Sequence, residues 1–333
     1  MPGTARDRLL REWVGQRLGP DSAGDIQTAS SDASFRRYFR VWRGRRSYVV
    51  MDAAPPFSDT RVYAEKALAF GRLGLNVPEV LEADFENGFL LLTDLGSRTY
   101  LQALGFDTVE RLYGDALGAL VVLQACGLPL EGALPPYDRD LLLREMALFS
   151  EWLVARLLGM HFGEYERDVL REAFTRLTEQ ALLQPQVSVH RDFHSRNLMV
   201  AGRNNPGILD FQDAVSGPVT YDLVSLLRDC YISWPQEKVT DWAKGYHHLA
   251  LQSGILREED EQQFLHWFDW MGVQRHLKAA GIFARLHLRD GKSGYLKDIP
   301  RTVHYIFDVS QRYAELADLG RLLKTRVMPL LGA

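Results

Sequence analysis

The chain has 333 residues, of which 46% are apolar and 25% are charged. This is the balance of an ordinary globular protein, and it excludes a disordered or fibrous chain. With 39 Lys and Arg against 43 Asp and Glu, the formal net charge is −4. No basic field therefore favours a nucleic acid or an anionic membrane as a partner. At this length a single core stops growing, so two lobes are the first expectation.

Cysteine usage and the apolar runs predict a cytoplasmic protein. Cys126 and Cys230 form no CxxC motif and no Cys/His cluster, which argues against a disulfide framework and against structural zinc. The first nineteen residues alternate charged and apolar residues at helical spacing and predict a helix rather than a signal peptide. The longest uncharged stretch, residues 116–130, is too short to cross a bilayer, which takes about twenty residues.

The first third of the chain predicts a small β-rich lobe that also contains a helix. Residues 35–42 alternate apolar and polar side chains, the period of a half-buried strand, and residues 47–51 form its partner across a turn at Gly44. A helix is predicted over 60–73 because its apolar residues share one face. An Asn-Gly pair at 87–88, between two apolar runs, predicts a second hairpin.

From residue 97 onward the pattern is helical, apart from a short β-like patch at 187–210. The predicted helices cover residues 107–125, 138–159, 165–183, 221–230, 236–252 and 258–285. No internal repeat or low-complexity tract is present. The sequence predicts an α+β, bilobal fold, with a small antiparallel-sheet N-lobe over 1–96 that binds nucleotide and a larger helical C-lobe over 97–333.

The β-like patch contains the densest polar chemistry of the chain. His190, Asp192 and Asn197 follow the spacing His-x-Asp-x-x-x-x-Asn, and Asp210 ends an Ile-Leu-Asp strand after a Gly-containing turn. Phosphoryl transfer from ATP requires a carboxylate that accepts a hydroxyl proton and oxygen ligands that hold Mg²⁺ against the phosphates. The spacing matches the catalytic loop of protein kinases, with Asp192 as the base and Asn197 and Asp210 as the metal ligands.

Other interpretations of these residues stay open at this point. Asp, Asn and Ser are common in turns and caps, so the segment is also compatible with ordinary loop structure. His190 and His194 are four residues apart, like the zinc ligands of a metallohydrolase helix, although Arg191 stands where HExxH has its Glu. Residues 291–293 read Gly-Lys-Ser, but the remaining Gly and the preceding strand of a Walker A loop are missing.

The wider sequence resembles the aminoglycoside phosphotransferase family. VPEVLEADFENGFLLLTDLG is similar to the family's hairpin before the adenine hinge, and GPVTYDLVSLLRD to the segment after its metal site. These small-molecule kinases are related to choline and homoserine kinases and have a protein-kinase-like fold. Within the family, SSDASFRRYFRV, SYVVMDA and QRHLKAAGIFARL most resemble the bacterial anomeric kinases of N-acetylmuramate and N-acetylglucosamine that act in peptidoglycan recycling.

This resemblance implies ATP and Mg²⁺ as cofactors and an amino sugar, phosphorylated at its anomeric hydroxyl, as the small-molecule substrate. It implies no nucleic acid, membrane or protein partner. An aminoglycoside, choline-like or homoserine-like hydroxyl substrate is the near alternative. A nucleotide-binding pseudokinase is the more distant one.

The resemblance also implies roles for individual residues. A nucleotide-covering loop corresponds to Ser30, Ser31, Asp32, Ala33 and Ser34, a helix Glu that orients a phosphate-binding Lys corresponds to Glu65, and adenine-binding backbone corresponds to Thr93, Asp94 and Leu95. The sugar site would be lined by Glu145, Asp213, Gln274, Arg275 and Lys278. For Glu145 and Lys278, exposed helix charges are the alternative interpretation.

One residue departs from the family pattern. Met51 stands where a Val-Ala-Ile-Lys type strand has its Lys, so the usual Lys–Glu ion pair cannot form from that strand. Either another cation replaces the Lys or the phosphates are held by metal and backbone alone. Arg36 and Arg37 are the nearest candidates, although both also fit a solvated hairpin face.

Overall fold

A computed structural model describes residues 4–30, 36–54, 60–126, 134–257 and 261–331. The chain divides into two units, one made of residues 1–115 and 196–212 and the other of residues 116–195 and 213–333. These units differ in their bounds from the two lobes predicted from sequence, and the lobe boundary at residue 96 remains a prediction. The predicted α+β class, with a small antiparallel sheet and a larger helical part, is confirmed.

The first unit is built on a five-stranded antiparallel sheet of order β1-β2-β3-β5-β4. Its strands are β1 (Ile26–Ser30), β2 (Arg36–Arg43), β3 (Arg46–Ala53), β4 (Val80–Asp84) and β5 (Phe89–Thr93). Both predicted hairpins are present, and their turns contain Gly44 and Gly88 at positive φ, a conformation that L side chains rarely adopt. Helix α1 (Ala5–Leu18) covers one face of the sheet, where Leu10 and Trp13 pack with Phe39 of β2.

The first unit also contains the hairpin that follows the catalytic motif. Strand β7 (Leu198–Met199) pairs antiparallel with β8 (Gly207–Ile208). Helix α2 (Thr60–Arg72) packs on Phe211, just beyond this hairpin, through Tyr63, with a ring-centroid distance of 5.0 Å. A short helix, α3 (Tyr100–Ala103), follows the sheet.

The second unit is helical apart from one short antiparallel pair, β6 (Gln186–Val189) with β9 (Val215–Pro218). Its helices are α4 (Val109–Cys126, which contains the boundary between the units), α5 (Arg139–Leu148), α6 (Glu164–Leu183), α7 (Tyr221–Leu227), α8 (Gln236–Gln252), α9 (Glu261–Asp290), α10 (Ile299–Ser310) and α11 (Ala317–Leu322). The predicted helix 138–159 is divided, because residues 149–157 form a π-helix. Helices α10 and α11 lie beyond the last element predicted from sequence.

Both cysteines are unpaired; Cys126 is exposed and Cys230 is buried. Among the helices of the described ranges, none combines the length and the apolar character needed to span a membrane.

The centre of the second unit depends on a close approach at Gly281. Helix α9 passes the junction of α5 and the π-helix, and a Cβ added at Gly281 would lie 2.3 Å from the carbonyl carbon of Leu148 and 2.5 Å from its oxygen. These are backbone atoms, so rotation of a side chain cannot relieve the clash. Only glycine therefore lets α9 contact α5 at this depth.

We expect Gly281→Ala to lower the free energy of unfolding by about 1–3 kcal/mol, because the added methyl forces two helix backbones apart. Urea unfolding measures this change. The matched control is Gly245→Ala in α8, where a Cβ meets no atom within 4 Å. This control should be neutral or gain up to about 1 kcal/mol from higher helix propensity. Equal stability of the two variants would contradict the close-approach interpretation.

Candidate active site

The loop after β6 is held by Asp222, in the first turn of α7. The backbone N–H groups of His190 and Arg191 donate to the two carboxylate oxygens of Asp222 at 2.6 and 3.0 Å. Burial raises the pKa of Asp222 to about 7, against the opposing effect of these two hydrogen bonds. Arg191 has φ +76°, a left-handed conformation that costs energy in a non-glycine residue and that the surrounding contacts maintain. Asp222 thus fixes the backbone directly before Asp192.

The Asp192 side chain is 41% exposed, so a substrate can reach it. Partial desolvation favours its neutral form, but Lys278 and, with smaller effects, Arg275 and the His194 and His190 rings when they are protonated hold the pKa of Asp192 below its usual value. The carboxylate is therefore ionised at neutral pH, the state in which it can accept a proton.

Glu145 lies in a buried cluster with two cations. It is 6% exposed and forms ion pairs with Arg191 and, at 3.1 Å, with Lys278, while the Tyr137 hydroxyl donates to it. Burial favours the neutral acid, but Lys278 and Arg191 hold the pKa of Glu145 below its ordinary value. Two cations share this one carboxylate, which joins α5, α9 and the loop of Asp192. The sequence analysis included Glu145 and Lys278 but missed Arg191 and Tyr137.

The other predicted sugar-site residues are placed differently. Gln274 is fully buried, and its amide nitrogen lies 3.4 Å from the Tyr137 hydroxyl. Arg275 is 6% exposed and donates to Ser225 at 2.6 Å. Asp213 is exposed, and its backbone oxygen accepts a hydrogen bond from Arg191. All four residues Glu145, Gln274, Arg275 and Lys278 are therefore buried, and Tyr137 connects Gln274 with Glu145.

Asn197 and Asp210 lie at the same end of the β7–β8 hairpin. Leu198 pairs with Ile208, and the Leu209 N–H donates to the Asn197 carbonyl at 2.9 Å, which continues the ladder by one step. Asp210 follows directly and has φ +65°. A carboxylate and an amide oxygen are donors that suit Mg²⁺, which takes few protein ligands and completes its coordination with phosphates and water. These residues fit the predicted metal.

The backbone after Asp210 is tied to helix α2. The Gln212 side chain donates to the Asp210 carboxylate at 2.6 Å, and Lys66 donates to the Gln212 backbone oxygen. Glu65, which sequence reasoning selected on this helix, is exposed. The buried position on the face that contacts Phe211 belongs to Tyr63. Of these residues, Lys66 and Tyr63 gave no sequence signal, because only the helix–hairpin packing brings them to Asp210.

The predicted adenine-binding backbone lies at the end of β5. The Thr93 N–H donates to the Glu79 carbonyl at 3.0 Å, and adenine binding by the backbone of Thr93, Asp94 and Leu95 stays a prediction. Arg40 holds this segment with a two-pronged ion pair to Asp94, at 2.6 and 3.0 Å, and a hydrogen bond to the Gly96 oxygen. Sequence reasoning missed Arg40, since its partner lies 54 residues away.

The predicted nucleotide-covering loop is described only at its first residue. The backbone of Ser30 ends β1 and pairs with Tyr38. Ser31, Asp32, Ala33 and Ser34 lie outside the described residues.

The zinc interpretation of His190 and His194 loses its structural basis. Neither residue lies on a helix, and the described part of the chain contains no group of three or more His, Cys, Asp or Glu side chains that could hold a metal ion. A Mg²⁺ site with two protein ligands, as predicted for Asn197 and Asp210, does not require such a group.

Comparison with curated proteins finds relatives along almost the whole chain. The N-acetylmuramate/N-acetylglucosamine kinase of Pseudomonas putida is 46% identical over 328 residues and covers 96% of each chain. The protein of that name from Neisseria meningitidis serogroup B is also 46% identical, over 96% of this chain and 95% of the other. The one from Caulobacter vibrioides is 31% identical, over 91% and 92%.

Solved structures share the fold at much lower identity. An ADP-bound aminoglycoside phosphotransferase, APH(2'')-Ib, matches with a TM-score of 0.58 at 17% identity, over 90% of this chain and 97% of that one. Choline kinase LicA from Streptococcus pneumoniae matches with a TM-score of 0.63 at 12% identity, over 92% and 100%. The predicted protein-kinase-like fold is thereby confirmed. A family model described as the phosphotransferase enzyme family matches residues 25–267, and the chain therefore belongs to that family.

Proposed function

We propose that this protein is an ATP-dependent kinase of N-acetylmuramate and N-acetylglucosamine that transfers the γ-phosphoryl group to the anomeric hydroxyl. The observation that carries the proposal is 46% identity, over nearly the full length of both chains, to relatives that bear the name of this activity. The anomeric position and a place in peptidoglycan recycling rest on the sequence resemblance. A cytoplasmic location belongs to the same proposal, since two unpaired cysteines suit a reducing compartment.

In this proposal Asp192 acts as the general base. The sugar hydroxyl oxygen forms a bond to the γ-phosphorus, the bond from that phosphorus to the bridging oxygen breaks, and ADP leaves. The hydroxyl proton passes to the Asp192 carboxylate, which the neighbouring cations keep ionised. Asp222 positions this carboxylate by holding the two preceding amides.

Asn197 and Asp210 would hold Mg²⁺. When bound, the metal neutralises charge on the phosphates of the nucleotide. The chain's own contribution would be to bring the two residues to one end of the β7–β8 ladder and to hold the Asp210 carboxylate through the Gln212 hydrogen bond.

Cations lie close to Asp192. Arg191 and Lys278 share the single carboxylate of Glu145, and Arg275 adds a further positive charge close enough to act on Asp192. We expect the carboxylate of an acidic sugar, such as N-acetylmuramate, to pair with one of these cations.

The proposal predicts ADP release with ATP and Mg²⁺ in the presence of either N-acetylated sugar. Glucosamine, a kanamycin-type aminoglycoside, choline and homoserine complete the substrate panel, and NMR of the product locates the phosphate on C1. Asp192→Asn should lower kcat by about 10²–10⁴-fold, because the base is lost while binding is retained. Asp308→Asn, an exposed Asp on α10, is the matched control and should keep full activity.

Each other outcome has a distinct meaning. Turnover on a different member of the panel would identify another substrate and would leave the proposed mechanism unchanged. Nucleotide binding without turnover on any member would favour a pseudokinase, the interpretation that Met51 suggests. Full activity of Asp192→Asn would remove Asp192 from the role of base.

We further expect Lys278→Met to shift the pH dependence of kcat/KM. Among the charges near Asp192, Lys278 contributes most to its lowered pKa. Removal of the ammonium group therefore raises the pKa of Asp192. Since the base must be ionised, the acid limb of the profile should move to higher pH.

Lys324→Met, at an exposed lysine, is the control for this shift and should leave the acid limb in place. A fall in kcat/KM for Lys278→Met at every pH, with no movement of the acid limb, would show that Lys278 acts on the substrate and not on Asp192.

A further inference from the structure

The strand that supplies a phosphate-binding Lys in related kinases has no cation at that position. Met51 of β3 is fully buried and pairs with Tyr38 of β2. A nucleotide triphosphate still requires positive charge from the protein, because a metal ion alone leaves net negative charge on the phosphates. Arg36 and Arg37, on the neighbouring strand, are two candidates that the sequence could not separate.

Arg36 and Arg37 lie on opposite faces of the sheet. Arg37 lies on the face of the sheet that α1 covers, where it forms ion pairs with Asp52 and, at 2.9 Å, with Asp7 of α1. Its guanidinium also lies 5.3 Å from the centre of the Phe39 ring, and Phe39 belongs to the core under α1. Arg37 is therefore part of the interface between helix and sheet, on the side opposite to Met51.

Arg36 lies on the Met51 face, because successive side chains of a strand point to opposite sides. On β2 it stands directly opposite Ala53 and diagonal to Met51, which pairs with Tyr38. Diagonal cross-strand neighbours are about 7–8 Å apart between their Cα atoms, within the reach of an arginine side chain. Arg36 can thus bring its guanidinium to the space that a Lys at position 51 would occupy.

Tyr63 gives a second observation that connects this face with the metal ligands. Burial raises the pKa of the Tyr63 hydroxyl well above its ordinary value, and Tyr38 and Asp210 raise it further, while the positive charge of Arg36 lowers it. One buried hydroxyl therefore experiences the fields of both Arg36 and Asp210.

We propose that Arg36 binds the nucleotide phosphates in place of the missing strand lysine. The proposal rests on the proposed kinase function, since it assigns a residue to the nucleotide of that reaction. A guanidinium suits the task because its fork of N–H donors matches two phosphate oxygens at once and its charge is permanent. The positive charge therefore comes from β2, at a residue diagonal to position 51 of β3, where related kinases have their lysine.

Lys66 is the rival cation in this unit. Its ammonium group donates to the Gln212 backbone oxygen, which places it beside Asp210. This contact indicates that Lys66 positions the backbone that follows Asp210. Lys66→Met is therefore a separate arm of the experiment.

The test measures binding of adenosine, AMP and ADP by calorimetry, in EDTA and without sugar, so that neither turnover nor metal affects the result. We expect Arg36→Met to bind ADP about 10- to 100-fold more weakly than the unmodified chain, the value of one lost charge-assisted interaction. Adenosine should bind equally well to both, which also shows that the variant is folded. Arg36→Lys should recover part of the ADP affinity.

Arg43→Met is the matched control, since it removes the same charge from an exposed position of the same strand. It should bind all three ligands normally. Undiminished ADP binding by Arg36→Met, or loss of ADP affinity in Lys66→Met alone, would overturn the assignment of Arg36. If the unmodified chain binds ADP no better than adenosine in EDTA, Arg36 contributes no phosphate binding of its own and the assignment fails, whereas the kinase function is judged separately by ADP release with Mg²⁺ and sugar.

Discussion

The buried carboxylate of Glu145 is the interaction on which the arrangement around Asp192 depends. It pairs with Arg191 of the loop and Lys278 of α9 and accepts a hydrogen bond from Tyr137. Removal of one partner from a buried ion pair leaves an uncompensated charge, at a cost of about 3–5 kcal/mol, so the three segments are held together as a set. The close packing at Gly281, on the same pair of helices, lets α5 and α9 approach far enough for this contact.

The sequence predicted the parts of the site that are local in the chain. The proximity of Asn197 and Asp210 along the hairpin could be expected because two short strands of one segment pair, and the spacing of the two residues is visible as a motif. Arg191 was missed as a partner of Glu145 because the two residues are 46 positions apart, and no local pattern reports such a contact. Arg40 and Asp94 were missed as a pair for the same reason.

Helix α9 shows why polarity alone does not reveal the contacts of its polar side chains. Gln274, Arg275 and Lys278 were all predicted to line the sugar site. The helix is buried on nearly every side, so its hydrophobic pattern has no clear solvent face from which orientation could be inferred. Arg275 donates a hydrogen bond to Ser225, whereas Lys278 forms an ion pair with Glu145. Packing against neighbouring segments determines these different partners. Helices α10 and α11, which were not predicted from the sequence, belong to the same core and contain no recognisable motif.

The buried carboxylate of Glu145 also affects how one site would accept two different sugars. N-acetylmuramate has a carboxylate and N-acetylglucosamine has none, so a site with two uncompensated cations would depend on the charge of its substrate. Burial of an unpaired cation is costly, and a neutral sugar would leave that cost in place. Glu145 neutralises part of this charge from within the protein. In the proposed function, the cluster would then be stable with a neutral sugar and would still attract an acidic one.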